Sequence, residues 1–250
     1  MNSKFSFYYK APVEFITESL ALFARMTTQP TTKQKLLINE TIKALKNGNI
    51  WDLLDVLVLL HSHNVQAAYL NWKQAAYNAI PVNSPVFTPY SNVKTAISKY
   101  INTDFIPVLN SKYKLNDAMY GVKVFGNIIT TATITMGAGA ASRMFRINAS
   151  NQFIGSVNTS TNTYLRSTYE DNIGLYIAQI TNNLGKLFKD GIKKTEQSYS
   201  GVILPTSQFT VGNTDYANYQ SYFIGASLTE QQQSNFNAII NNYIANYSNE

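Results

Sequence analysis

The sequence predicts a mainly β protein: an antiparallel sandwich or jelly roll that follows a helical segment and ends in one amphipathic helix. Two observations lead to this prediction. Many short apolar segments after residue 95 are separated by turn residues, with no helical segments to connect parallel strands. Residues 174–243 then read as strand, turn, strand, an Asp190-Gly191 turn, strand, long loop, strand and helix.

The first fifty residues read as two helices. Pro12 fits the first turn of a helix whose apolar residues recur every three or four positions, and Pro30 ends that helix. Thr31 or Thr32 can cap the second helix, which ends at Gly48. Together these signals predict a helical N-terminal segment.

The next segment is ambiguous. Residues 50–60 are apolar almost throughout, which favours a buried helix. A helix leading into a strand at residues 56–60 is the alternative, because periodicity does not separate the two. Residues 65–72 read as a short helical turn or an extended segment. Three prolines between residues 81 and 89 then mark a loop-rich stretch with at most edge strands.

Short β segments follow from about residue 95. The candidate strands are residues 96–101, 105–109, 119–125, 128–136, 143–147, 152–157, 164–167, the hairpin 174–197, 209–211 and 219–224. Thr229 and Gln232 form a capping box at the start of an amphipathic helix, residues 229–247. We therefore divide the chain into a helical leader, residues 1–65, and a sandwich domain, residues 66–250, which includes that helix.

The composition excludes several classes of function. The 250 residues suit one large β domain plus a small extension, and 45% of them are hydrophobic. Only 14% are charged, against about 25% in an average soluble protein. The net charge of +6 comes mostly from lysines spread along the chain, so we expect no nucleic-acid partner. The absence of cysteine excludes disulfides, thiol chemistry and cysteine-ligated zinc.

The sequence predicts no membrane contact. The longest strongly apolar run, residues 56–60, is far too short to span a bilayer. Residues 1–10 contain four aromatic side chains but no long apolar core or small-residue cleavage site. We therefore expect no secretory signal, and synthesis in a cytoplasm.

The sequence also predicts no catalytic residue, cofactor or metal. His61 and His63 lack an evident third ligand, which favours a polar break over a zinc site. The Gly-Ala-rich residues 137–142 lack the helix that must follow a phosphate-binding loop, which favours a hairpin turn. Glu170 and Asp171 are adjacent and would point to opposite faces of a strand, unlike a glycosidase pair. The alternative is an enzyme whose catalytic carboxylates come from separate loops, which no local sequence pattern would reveal.

Tyrosines offer a different kind of site. Tyr and Trp present flat faces to sugar rings, with hydrogen-bonding tips, and loops on a rigid sandwich are common recognition surfaces. Tyrosines that fill half-buried strand faces are the alternative interpretation. The candidates for surface or glycan contact are Tyr164, Tyr169, Tyr199, Tyr216 and Tyr219. No acidic cluster for calcium is visible, so such binding would not need a metal.

The order of these segments resembles a group of bacteriophage and prophage virion proteins. These carry a concanavalin A-like (laminin G-like) sandwich behind a short helical leader. The similar segments are residues 36–59, 67–87, 114–123, 174–193 and 223–247, with Leu-Asn-Trp at 70–72, Phe-Ile-Gly-Ala at 223–226 and Leu-Thr-x-x-Gln at 228–232. Their order carries the resemblance, which covers most of the chain after residue 31.

The resemblance implies a concanavalin A-like jelly roll and a non-enzymatic structural role in the virion. The protein would be a head or tail fibre, a capsid decoration protein or an adhesin, made in the cytoplasm of a bacterial host. Its partners would be capsid, portal, tail or fibre subunits and a host-surface glycan, in a homo-oligomer or multicopy assembly. The leader would dock on the particle. A polysaccharide-cleaving enzyme of the same shape is the alternative.

Overall fold

The computed structural model describes residues 14–107, 111–127, 133–147, 152–159, 164–168, 173–214 and 216–248. Within these ranges the helices are α1 (Thr17–Ala24), α2 (Thr32–Asn47), α3 (Val65–Ala68) and α4 (Glu230–Asn246). The strands are β1 (Leu54–Leu59), β2 (Ile80–Val82), β3 (Val86–Thr88), β4 (Asn92–Lys94), β5 (Tyr100–Asn102), β6 (Asp117–Asn127), β7 (Thr133–Ala138), β8 (Ser142–Ile147), β9 (Gln152–Ser156), β10 (Leu165–Thr168), β11 (Gly174–Thr181), β12 (Leu184–Lys189), β13 (Ile192–Ser198), β14 (Thr210–Val211) and β15 (Ala217–Gly225).

The strands form two antiparallel sheets stacked as a sandwich. In the described part of the chain, the first sheet has eight strands in the order β13-β12-β11-β6-β15-β4-β3, with β1 also paired to β15. The second sheet has seven, in the order β10-β9-β8-β7-β14-β5-β2. Val122 and Tyr222 from the first sheet share one buried core with Met136 and Phe153 from the second. The predicted mainly β sandwich with a C-terminal helix is therefore confirmed.

A helical layer covers the outer face of the first sheet. Helices α1, α2 and α4 share a second apolar core with that face. On β11, Tyr176 and Ala178 face the core between the sheets, whereas Leu175 and Ile177 face the helices. Side chains alternate across a strand, so a strand buried on both faces needs a continuous apolar run. The first sheet is thus the middle of three layers.

The buried helix expected at residues 50–60 is wrong. Trp51–Leu53 form a single 3-10 turn, and β1 begins directly after it. All six residues of β1 are buried, because one apolar core lies on each of its faces. A strand of this kind shows no alternation, which is why periodicity could not identify it. The alternative, a strand over residues 56–60, agrees with the structure.

The position of β1 also changes the division of the chain. Although β1 lies before residue 65, it pairs with β15 from Leu54 opposite Gly225 to Leu59 opposite Ser221. The helical layer before it joins the core on the outer face of the same sheet. A boundary at residue 65 therefore cuts through the sheet, and the expected leader is part of the packing of the sandwich.

Two expected strands differ from the structure. The strand expected at residues 96–101 is limited to Tyr100–Asn102, and none is present in the described part of residues 105–109. Asp104 has a backbone φ of 56°, in the left-handed region, which extended strands do not use. This residue separates β5 from the segment that follows.

Local turn and cap signals agree well with the structure. The proline-rich stretch forms β2 and β3, each at the edge of a sheet, where a missing N–H does not break the ladder. Residues 137–142 connect β7 and β8 as a hairpin, as expected. The capping box of Thr229 and Gln232 is present, and Thr31 forms a second one with Gln34.

Candidate functional site

A cleft of about 440 Å³ opens at the end of the sandwich where β1 begins. Its walls come from the turn before β1, the loop after α3 and the segment between β5 and β6. The residues that line it are Asp52, Leu54, Asp55, Lys73, Gln74, Tyr77, Phe105, Ser111 and Lys112. A volume of several hundred Å³ is typical of small-molecule sites.

One wall, residues 111–113, is fixed by a buried carboxylate. Asp55 accepts hydrogen bonds from the backbone N–H groups of Lys112 at 2.8 Å and Tyr113 at 2.9 Å. The Tyr113 hydroxyl donates to Asn158 Oδ1 at 2.9 Å and lies 2.8 Å from Ser142 Oγ. This wall is therefore tied to β1 in one sheet and to β8 in the other.

The opposite wall begins with Asn71, whose fully buried side chain acts as a strand partner for the free edge of β1. Asn71 Oδ1 accepts from the Leu57 N–H at 3.1 Å, and Nδ2 donates to the Asp55 carbonyl at 3.2 Å. The next N–H, from Trp72, donates to the Leu57 carbonyl at 2.8 Å. An uncovered strand edge exposes unpaired backbone groups, and these bonds satisfy them.

Hydrogen bonds within the loop after α3, and from Arg25 at the end of α1, hold the rest of this wall. Asn71 also accepts from the Lys73 N–H at 3.1 Å and donates to the Ala76 carbonyl at 2.9 Å. The Arg25 guanidinium, at the end of α1, donates to the Asn71 and Gln74 carbonyls, both at 2.8 Å. Burial lowers the pKa of Arg25 from its ordinary value. The loop after α3 is therefore a rigid wall.

Tyr77 supplies an aromatic face to the cleft. Its backbone has a φ of 60°, in the left-handed region that bulky residues rarely adopt. Its half-buried ring packs edge-on against Phe105, with centroids 5.1 Å apart and planes at 85°. Strained conformations of this kind persist only where the surroundings hold them, and they cluster at functional sites. Tyr77 combines this conformation with a place in the lining of the cleft, and the two together make it a binding candidate.

The cleft carries both signs of charge. Lys73 Nζ donates to the Trp51 carbonyl at 2.6 Å and lies 3.9 Å from Asp52 Oδ1. Burial lowers the pKa of Lys73 to about 8, and the charge of Asp52 opposes that shift. Lys112 and Gln74 add exposed ammonium and amide groups. The arrangement offers hydrogen-bond donors and acceptors beside the half-buried ring of Tyr77.

The two carboxylates differ in what they can do. Burial raises the pKa of Asp55, while the N–H groups of Lys112 and Tyr113 oppose the rise. Both Asp55 oxygens accept these bonds, so this group is committed to holding the wall. Asp52 is exposed, with 90% of its side chain accessible. A glycosidase needs two carboxyl groups free to act on one bond, and here one is occupied.

The tyrosines predicted for glycan contact do not form one cluster. Tyr216 is 48% exposed just before β15. Because the other end of β15 pairs with Leu54 at the cleft, Tyr216 lies about 30 Å from it at ~3.3 Å per residue. Tyr164 is half-buried before β10. Tyr169 lies outside the described residues, as do Glu170 and Asp171.

The two remaining tyrosines are structural. Tyr219 is fully buried in the core between the sheets, so the expectation of surface contact is corrected for this residue. Tyr199 is half-buried, and its hydroxyl accepts from the Val157 N–H at 3.2 Å. Burial raises the pKa of Tyr199 to about 12. These two agree with the alternative, in which tyrosines fill strand faces.

The two histidines fasten the end of α4. His61 Nδ1 lies 2.9 Å from the Ser91 carbonyl, and Nε2 lies 3.0 Å from the Tyr247 carbonyl. His63 Nδ1 is 2.6 Å from the Tyr247 hydroxyl, and Nε2 is 2.9 Å from the Thr28 carbonyl. All four ring nitrogens thus have protein partners. Within the described ranges, no group of three or more His, Cys, Asp or Glu could hold a metal ion.

Sequence reasoning missed the cleft because its residues are far apart along the chain. Asp52 and Asp55 lie within residues 50–60, the run that was expected to form a buried helix. The Leu-Asn-Trp element at 70–72 was a usable signal, since its Asn71 completes the edge of β1. No local pattern marks Tyr77 or Lys73.

No helix in the described ranges has the length and apolar character to cross a membrane. No family model matches the chain, and no curated protein matches it.

The chain is similar in fold to solved β-sandwich structures. The sialidase of Trypanosoma rangeli, in complex with 2,3-difluorosialic acid, aligns over 81% of this chain with a TM-score of 0.56 and 10% identity. A mutant of HCR/D, a clostridial toxin receptor-binding domain, aligns over 76% with a TM-score of 0.52 and 12% identity. The chain spans 39% of the sialidase and 53% of the HCR/D chain. At these identities the likeness shows a shared sandwich fold.

Proposed function

We propose that this protein is a non-enzymatic structural protein of a bacteriophage particle that contacts a host-surface glycan through the cleft. The cleft itself carries the proposal. It combines the strained aromatic Tyr77 with exposed polar groups at Asp52, Gln74 and Lys112, on walls held by buried hydrogen bonds. Sugar recognition uses a flat aromatic face and a few fixed polar groups.

The similar folds make a saccharide the first ligand class to test. One of these sialidase structures is in complex with sialic acid. At 10% identity, this similarity is one of fold and assigns no role to any residue of this chain. The proposal for this chain therefore depends on its own cleft.

The proposed virion role is supported by the resemblance of residues 36–59, 67–87 and 223–247 to phage virion proteins. Partners would be capsid, portal, tail or fibre subunits, in a homo-oligomer or multicopy assembly. Many copies let weak glycan sites act together through avidity. Mass spectrometry of purified particles should detect the protein, and its absence from them would contradict the virion role.

The glycan test is an array of bacterial surface polysaccharides, followed by titration calorimetry with one positive oligosaccharide. Tyr77→Ala should weaken binding about tenfold, since loss of stacking on one ring removes ~1–1.5 kcal/mol. Tyr216→Ala, at the far end of β15, is the matched control and should leave affinity within twofold. Equal loss in both variants, or loss only with Tyr216→Ala, would move the site away from the cleft.

Polysaccharide cleavage is a second candidate, because Asp52 and Asp55 line the same cleft. Non-catalytic binding is favoured since both Asp55 oxygens are engaged by backbone N–H groups. An assay of new reducing ends on the bound polysaccharide should stay at background. A signal that disappears with Asp52→Asn would establish the enzyme instead.

A further inference from the structure

A second, smaller pocket opens at the same end of the sandwich as the cleft. It lies between the hairpin turn that joins β7 to β8 and the loop before β14, and its volume is about 220 Å³. Residues 138–141 line it, together with Thr159, Ile203, Leu204, Thr206 and Ser207. Complete small-molecule sites have roughly 300–1,000 Å³, so this pocket suits one unit of a longer ligand.

The second pocket and the cleft are close neighbours. Strand β14 lies between β7 and β5, and neighbouring strands are ~4.8 Å apart, so the turn after β7 and Phe105 after β5 are about 10 Å apart. The Phe209 N–H, just before β14, donates to the Phe105 carbonyl at 3.2 Å. Phe105 lines the cleft, and Ser207, two residues before Phe209, lines the second pocket. One ligand of moderate length therefore reaches both.

One buried residue, Asn158, supports both sites. Its side chain accepts from the Tyr113 hydroxyl at 2.9 Å, in the cleft wall, and donates to the Lys114 and Leu115 carbonyls, both at 2.9 Å. Its backbone carbonyl accepts from the Val202 N–H at 2.7 Å, at the start of the loop that lines the second pocket. Asn158 is fully buried, and its φ of 56° lies in the left-handed region, so its contacts must hold it in place. The two pockets are therefore parts of one connected face.

The second pocket offers hydroxyl groups and apolar surface. Thr206 and Ser207 are exposed, and a hydroxyl group both donates and accepts hydrogen bonds. Ile203 is 45% exposed and presents an aliphatic surface in the same pocket. No charged side chain is among the described residues that line it. A neutral sugar ring has the matching features, because its hydroxyl groups bond to such partners and its C–H groups contact aliphatic side chains.

We propose that this pocket is a second subsite for the glycan of the cleft, and that it binds a neutral sugar unit farther along the same chain. The bound oligosaccharide runs from the ring of Tyr77 to the hydroxyl groups of Thr206 and Ser207. This inference rests on the proposed function, and it adds a preference for long oligosaccharides over short ones. Two sites on one ligand raise affinity because the second contact forms within the complex.

The test is titration calorimetry with oligosaccharides of increasing length, cut from a polysaccharide that is positive on the array. Fragments long enough to reach the second pocket should bind about tenfold more tightly than the shortest fragment that binds. The double variant Thr206→Val, Ser207→Ala removes both hydroxyls at nearly constant size. It should abolish this gain and leave affinity for the shortest fragment within twofold. Thr88→Val, on the exposed edge strand β3, is the matched control and should keep the gain. Since no charge takes part, the gain should persist at high salt.

Three results would overturn the inference: equal affinity at every length, a gain that survives in the double variant, or a gain that high salt removes. In each of these cases, weaker binding of the shortest fragment to Tyr77→Ala would still support the proposed function of the cleft. Binding of no fragment to the unchanged protein would contradict both. Far-ultraviolet circular dichroism shows whether each variant is folded.

Discussion

Replacing Asn71 with alanine should destabilise the protein by about 4 kcal/mol. The buried amide makes four hydrogen bonds, to Leu57, Asp55, Lys73 and Ala76. A typical intramolecular bond contributes ~1 kcal/mol net, and a buried donor left without a partner costs more. Asn71→Ala leaves the Leu57 N–H and the Asp55 carbonyl on the free edge of β1 without this partner, and also the Lys73 N–H and the Ala76 carbonyl in the loop after α3. The loss is a large share of the 5–15 kcal/mol that is typical of folded domains.

Urea unfolding followed by far-ultraviolet circular dichroism measures this change. With an m value of ~2.5 kcal/mol per molar, the midpoint should fall by about 1.5 M. Asn78→Ala is the matched control in the same loop. The half-buried Asn78 accepts from the Asn71 N–H at 2.9 Å and donates to the Ala75 carbonyl at 3.0 Å. Its loss should cost about 1 kcal/mol.

A loss of stability in Asn71→Ala no larger than that in Asn78→Ala would contradict this role of the buried amide. That result would mean that water replaces the amide at the edge of β1. A fall in m without a shift in midpoint would also contradict it, since the expected effect is on the native state.

Three further predictions follow from the packing. Gly121→Ala should cost about 2–3 kcal/mol in thermal or urea unfolding, because its Cβ would lie 2.5 Å from Phe223 Cζ and from the Tyr176 carbonyl oxygen. Gly48→Ala is the control, since the atom nearest to the added Cβ is the flexible end of Ile50 at 3.3 Å, and it should change stability by less than about 0.5 kcal/mol. Equal losses of stability in the two variants would show that close packing at Gly121 is not the cause. Deletion of residues 1–65 should abolish cooperative unfolding, since it removes β1; a truncated protein with an intact sigmoidal transition would show that the later strands suffice. The free energy of unfolding should fall as pH rises above about 10, and part of the tyrosinate absorbance should appear only when the protein unfolds. A tyrosinate signal that is complete before unfolding would contradict this.

The loss of stability at alkaline pH follows from the raised pKa values of four buried tyrosines. Burial raises the pKa of Tyr113, Tyr120, Tyr222 and Tyr243, which are fully buried in the native protein. Their contribution is fully present below the unfolded value of about 10. Above it the unfolded chain releases protons that the native state retains, so stability is lost as pH rises.

Local signals made much of the fold predictable. The capping box at Thr229 and the hairpin turn at Asp190 depend on residues within four positions of one another, and both are present. The run at residues 50–60 was harder, because its state depends on pairing with β15, far along the chain. A strand covered on both faces and a buried helix have similar composition. Tertiary pairing decided between them.

The cleft could not be predicted because contact between distant segments creates it. Asp52, Lys73 and Lys112 have no shared local pattern, and the fold brings them together around the start of β1. Tyr219 was expected at the surface because it stands near a loop-like stretch, yet it faces the core on β15. Which face of the sheet a side chain occupies depends on the register of its strand with the neighbouring strands.

The most direct test of the proposed function is a crystal structure of the protein with an oligosaccharide that is positive on the array. We expect an intact sugar ring against Tyr77, with hydrogen bonds to Gln74 or Asp52. A sugar seated at Tyr216, or a cleaved product in the cleft, would contradict non-catalytic recognition at this site.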